Sequence, residues 1–239
     1  MPKYRSISDA PPEVITRYYR GKFTRKFRPH VEAATRRYSR VTLTLRERKK
    51  NKVLRSTLET FKREAARANS NGNECMQTLM NMGLFYLLAE SDIQAVKIDA
   101  LTHPDEWKRK LSLRIMLLTI YEWDMGKTTG KNLKSLLTQS SVSNELQSEL
   151  FDSIKVLKKA QIRSKNMLRE PRNSVIAHRN ADALSQIKII EGLNASDVFG
   201  AAEEFYASSD KFMHALAKVL SQAGSLQGLV AFLLNKKRT

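Results

Sequence analysis

The stretch that decides the fold is Asn69-Ser70-Asn71-Gly72-Asn73-Glu74-Cys75-Met76-Gln77-Thr78-Leu79-Met80-Asn81-Met82-Gly83-Leu84-Phe85-Tyr86-Leu87-Leu88. Its first four residues are turn formers and stop whatever helix precedes them. Asn73 follows as an N-cap, its side chain suited to accept from the first free N–H groups. Met76, Leu79, Met80, Gly83, Leu84, Leu87 and Leu88 then recur at i, i+3, i+4 and i+7. That spacing places one apolar stripe on a helix and predicts a core helix.

The same period continues downstream. Ile93–Leu101 reads as a short helix or turn. Thr102-His103-Pro104-Asp105-Glu106 is a strong helix start, with Pro and two acids in the first turn. The helix it opens runs to about Met125. Its second half is apolar nearly all round, which predicts the most buried helix of the chain. Residues 132–138 make one short helix. Ser143 caps a long helix to about Arg169 carrying Leu146, Leu150, Ile154 and Leu157. Pro171 forces a break, and a helical stretch follows to about Leu184. Residues 187–190, short and β-branched, read as extended. Asn194 or Ser196 starts a last long helix through Phe199, Phe205, Phe212 and Leu216, stopped by Gly224. Leu226–Leu234 reads as a final apolar helix ahead of Lys236-Lys237-Arg238. The expected fold is all-α: an antiparallel bundle of four to five long helices with a basic N-terminal extension.

Upstream of the deciding stretch the composition changes. Residues 1–67 hold 20 basic and 6 acidic residues, a net charge of +14, whereas residues 68–239 carry only +4. So concentrated a basic end implies a polyanionic partner. Residues 1–29 read as an arm, because Pro11, Pro12, Gly21 and Pro29 punctuate it. Within it Tyr18, Tyr19, Phe23 and Phe27 interleave with Arg20, Lys22, Arg25, Lys26 and Arg28. Aromatic faces stack bases while cations neutralise phosphates, so these nine residues are RNA-binding candidates. A solvated tail whose aromatics dock on the protein body is the competing reading. Residues 30–70 read as a basic helical extension, in one piece or broken near Val41–Thr44. Residues 73–239 form the bundle.

Composition excludes several classes. Hydrophobic residues make up 41% and charged residues 28%, which separates the chain from disordered proteins. A lone cysteine, Cys75, excludes an internal disulfide, and its apolar neighbours predict a buried, inert thiol. Histidines 30, 103, 178 and 214 show no paired ligand spacing, so no metal is expected. No apolar run reaches the roughly 18 residues needed to span a bilayer. The N-terminus lacks an apolar signal region, and Asp9, Glu13 and the double proline oppose a transit peptide. The expectation is a cytoplasmic protein without a membrane partner. Gly126-Lys127-Thr128-Thr129-Gly130-Lys131 resembles a phosphate loop, but Tyr121 stands where its first glycine belongs and a helix precedes it. Nucleotide binding there is rejected.

The segment with chemical potential is Glu170-Pro171-Arg172-Asn173-Ser174-Val175-Ile176-Ala177-His178-Arg179. It sets a guanidinium and an imidazole six positions apart after a proline. Lys155, Lys158, Lys165 and Arg169 lie on one face of the preceding helix and, with Arg179, form a cationic track suited to phosphate. An imidazole with an ordinary pKa near 6.5 suits proton transfer at neutral pH. RNA cleavage needs a proton taken from a 2′-OH, one given to a 5′-oxygen, and stabilised charge on phosphorus. A His and an Arg supply these without metal or cofactor.

Arg172-Asn173-x-x-x-Ala177-His178 resembles the signature of the HEPN domain, an all-α bundle. The variant with Ala before His and Arg after it resembles the abortive-infection subgroup. Trp107 and the run Tyr121-Glu122-Trp123-Asp124 ahead of Leu133, Leu136 and Leu137 fit that subgroup too. The resemblance spans roughly residues 74–222 and leaves the basic segment 1–68 unexplained. It implies a homodimer whose facing motifs form one composite, metal-independent endoribonuclease site. His178 would be the general acid/base, Arg172 the phosphate clamp and Asn173 an orienting residue. Six residues turn a straight helix by about 600°, leaving Arg172 and His178 roughly 120° apart, and two protomers would repair that poor convergence. The resemblance also implies a setting in antiviral defence or a toxin–antitoxin pair, with an antitoxin or other defence-system partner protein. Two alternatives stand beside the ribonuclease: a non-catalytic nucleic-acid-binding module, and a scaffold subunit with an inactive fold.

Overall fold

The computed structural model describes residues 11–130, 132–167 and 183–230. Among these residues every regular element is a helix. In chain order they are α1 (Pro12–Ser70), α2 (Glu74–Thr102), α3 (Glu106–Glu122), α4 (Gly126–Thr129), α5 (Leu133–Gln139), α6 (Asn144–Met167), α7 (Ala183–Gly192) and α8 (Ala195–Ala223), with 226–230 also helical. The all-α expectation holds, with α1, α2, α3, α6 and α8 as the long helices.

The helix starts follow their capping residues. Asn73 accepts from the Met76 N–H at 3.1 Å, Asp105 from Trp107 at 2.9 Å and Asn194 from Ser196 at 2.9 Å. Gly72 sits in the left-handed region at φ 61°, which a glycine adopts without strain and which closes the turn between α1 and α2.

The long helices pack antiparallel. The α6–α8 pair is laced by Glu149 with Lys218 and by Arg163 with Glu204, both at 2.6 Å. A chain of rings from Phe85 through Trp123 to Phe205 runs through the core, with centroids 5.7 and 5.4 Å apart. Phe205, Phe212, Leu79, Ile120, Leu150 and Leu157 are fully buried around it. Cys75 lies in this core, and burial pushes its thiol up.

Four expectations are corrected. The N-terminal arm and the helical extension are one continuous 59-residue helix from residue 12. Pro12 falls in the first turn, where its missing N–H is no loss. Gly21 costs only about 1 kcal/mol in a helix interior. Pro29 leaves the Arg25 carbonyl without its helical donor, but residues 25–29 are solvent-exposed and water can serve that oxygen. The helix does not break at Val41–Thr44, where the Thr44 hydroxyl donates to the Arg40 carbonyl at 2.7 Å. The short helix or turn at 93–101 is instead the end of α2, which Ile93 and Ala100 anchor in the core. Residues 187–190 are helical within α7, whose Ile190 is buried, so tertiary packing overrides β-branched propensity there. Finally, α3 is not the most buried helix: Trp107 and Ile115 face solvent, while α2 and α8 supply most of the core.

Candidate nucleic-acid interface

Two contacts fix how α1 lies on α2. The Phe61 ring rests against Gly83, and Glu47 pairs with Lys97 at 3.2 Å. Both pairs have the same antiparallel register, which puts Thr102, the last residue of α2, opposite about position 42 of α1. The Arg40–Asp99 ion pair at 2.8 Å marks the end of the contact. Residues 12–42 therefore run on past α2 for roughly 45 Å at 1.5 Å per residue. None of them is buried.

This free half carries nine basic residues against Glu13 and Glu32, a net charge of +7. Arg28 is tied to Glu32 at 2.7 Å. That guanidinium holds the Glu32 carboxyl below its ordinary range. Arg20, Lys22, Arg25 and Lys26 are exposed or half-exposed, and the aromatic candidates are exposed with them. Tyr18 and Tyr19 pack edge-on at 5.4 Å, and Phe23 stacks on Phe27 at 4.4 Å with 29° between the planes. Phe23 is 63% exposed. Lys22 Nζ stands 6.0 Å from the Tyr18 ring centroid. The nine N-terminal candidates are thus gathered along two to three turns of one helix. The alternative of aromatics docked on the protein body does not describe them.

Of the second candidate set, Lys155 and Lys158 are exposed on α6, and Lys155 is paired with Asp152 at 2.8 Å. Lys165 belongs to α6. Arg169, Arg172, Asn173, His178 and Arg179 lie outside the described residues.

A polar cluster went unread in the sequence. A cavity of about 720 Å³ opens between α1, α2, α3 and α8, lined by Lys50, Tyr86, Glu90, Gln94, Lys97, Met116, Tyr206 and Asp210 among others. The Gln94 Oε1 and the Tyr206 hydroxyl are both buried in it, with no hydrogen bond of ordinary geometry among the described residues. Burial pushes Glu90 up, against the pull of its Tyr86 hydrogen bond, Lys50 and Lys97. Tyr86 and Tyr206 are raised, chiefly by burial and then by the Glu90 charge. The signal was present: Tyr86, Glu90, Gln94 and Lys97 recur at i+4, i+4 and i+3 along the inner face of α2. Among the described residues no three His, Cys, Asp or Glu side chains come together to hold a metal ion. Nor is any described helix long and apolar enough to cross a membrane.

No protein-family model matches the chain, and no curated protein or solved structure is detectably similar to it.

Proposed function

We propose that this protein binds RNA through the free half of α1 and cleaves it at a metal-independent site built from Arg172, Asn173 and His178 in a homodimer. The observation that carries the binding is the projecting helix itself. It presents net +7 and four exposed aromatics with no described element packed over them. Phosphates meet the Arg and Lys side chains, and bases stack on the tyrosine and phenylalanine faces.

The cleavage step rests on the Arg172-Asn173-x-x-x-Ala177-His178 order and its resemblance to HEPN proteins. His178 as base takes the 2′-OH proton, and O2′ attacks the adjacent phosphorus. Arg172 holds the added charge, the P–O5′ bond breaks, and a proton returns to O5′. The products are a 2′,3′-cyclic phosphate and a 5′-hydroxyl. The same resemblance supports a setting in cellular defence or a toxin–antitoxin pair.

Incubation of wild type and His178→Ala with total RNA and EDTA tests the reading. Wild type should cleave, leaving cyclic phosphate ends, and His178→Ala should bind equally but not cut. General acid–base catalysis contributes typically 10²–10⁴-fold to a rate and little to affinity. Equal cleavage by both removes His178 from the chemistry. Retention without cleavage by either protein leaves a binding module, and neither activity leaves a scaffold subunit.

A further inference from the structure

The face of α1 turned away from α2 carries a second pattern. Phe27, Val31, Ala34, Tyr38, Val41 and Leu45 alternate steps of four and three residues. At 100° per residue all six fall within about 40° of one line along the helix. The residues that pack α1 on α2 (Glu47, Leu54, Leu58, Phe61 and Ala68) cluster on the opposite side, about 180° away. The seam is bare along its length. Val31, Val41 and Leu45 are each more than half exposed, and Tyr38 is 74% exposed.

Five large apolar side chains in one heptad-spaced row, with no described element of the bundle against them, form a surface that monomeric proteins seldom leave open. The seam has the geometry of one strand of a coiled coil, with a and d positions filled. It is largely aliphatic, so base stacking does not account for it.

Charge selects the occupant. Arg28 and Arg37 flank the seam, and Arg20 and Lys49 close its two ends. Between positions 27 and 45 the one acid is Glu32, on the far side and paired with Arg28 and Arg36. Across residues 27–45 there are four arginines and one glutamate, so pairing two copies along the seam would set net +3 against net +3. An acidic partner helix would set carboxylates against these cations, in the e and g pattern that decides coiled-coil partners.

We infer that the Phe27–Leu45 seam of α1 is the docking site for an acidic amphipathic helix of a partner protein. This goes beyond the RNA reading, whose named contacts lie between Tyr18 and Arg28 and share Arg20, Phe27 and Arg28 with the seam and its flanks, although both draw on the free half of α1.

The test uses the full chain and two labelled three-heptad helices with leucine at a and d, one with glutamate at e and g, the other with lysine. Fluorescence anisotropy should show saturable binding of the acidic helix and none of the basic one. Val31→Glu with Val41→Glu should weaken acidic-helix binding at least ten-fold, while Val14→Glu, off the seam, should leave it unchanged. Both seam positions are exposed, so the fold should survive, which circular dichroism checks. Absence of saturable acidic-helix binding overturns the inference, as does equal binding of the two helices or insensitivity to the seam variant. A wild-type dimer that the seam variant turns into a monomer in light scattering would assign the seam to a second copy instead. A ten-fold loss of RNA affinity in the seam variant with acidic-helix binding intact would assign it to RNA. RNA affinity of the wild type is measured separately, so failure of the seam leaves the RNA reading standing, and the reverse.

Discussion

The Phe61 ring of α1 lies against the bare Cα of Gly83 in α2. A Cβ built at Gly83 would stand 2.1 Å from Cε1 and 2.6 Å from Cδ1 of that ring. This close approach sets the register of the α1–α2 hairpin, and the register in turn decides how much of α1 extends beyond the bundle. Gly83→Ala should therefore destabilise the protein by about 1–2 kcal/mol, overpacking costs of about 1–3 kcal/mol being offset in part by the better helix propensity of alanine. Combining it with Phe61→Leu should recover part of the loss. Urea unfolding of the two single variants and the double variant measures the coupling.

Glu90 supplies a pH dependence. Its carboxyl is pushed up by burial beside Tyr86 and Tyr206, despite nearby Lys50 and Lys97. A carboxyl raised in the folded state binds more protons there than in the unfolded chain. Stability should then fall as pH rises from the ordinary carboxylate range through the raised folded value. Glu90→Gln removes that loss, so its stability relative to wild type should improve between about pH 4.5 and pH 7. Thermal melts across this range check the sign.

The aromatic pair on the free helix should act on affinity rather than on salt dependence. Phe23→Ala with Phe27→Ala removes the rings that stack at 4.4 Å and leaves every cation in place. Stacking is worth about 1–3 kcal/mol per base, so single-stranded RNA should bind about ten-fold more weakly or worse, with the slope of log affinity against log salt unchanged. Filter binding at several salt concentrations separates the two quantities.

The core helices were legible because periodicity and caps act locally. Asn73, Asp105, Ser143 and Asn194 marked starts that the structure keeps, and Gly224 marked a stop. The length of α1 was not legible, because Pro11, Pro12, Gly21 and Pro29 carry breaker chemistry that this setting tolerates. A first-turn proline loses nothing, and an exposed interior proline leaves its orphan carbonyl to water. The interleaved aromatics and cations between Tyr18 and Arg28 were legible as a candidate interface. Their gathering on one projecting helix was not, since it depends on where α2 ends. The seam and the polar cavity escaped for the same reason: each is defined by which face of a helix its neighbour covers. A single sequence names the residues on a face but not the neighbour.

The most direct test of RNA binding by the projecting half of α1 is removal of residues 1–28. The deletion takes away Lys3, Arg5, Arg17, Arg20, Lys22, Arg25, Lys26 and Arg28, and none of residues 12–28 is buried, so the bundle should keep its helicity and its urea midpoint. With single-stranded RNA titrated over a range of salt concentrations, the slope of log affinity against log salt should shrink by a few units, about 0.7 for each phosphate that no longer meets a cation. An unchanged slope and affinity in the truncated protein would show that the free half of α1 does not touch RNA and would contradict the proposed mode of binding.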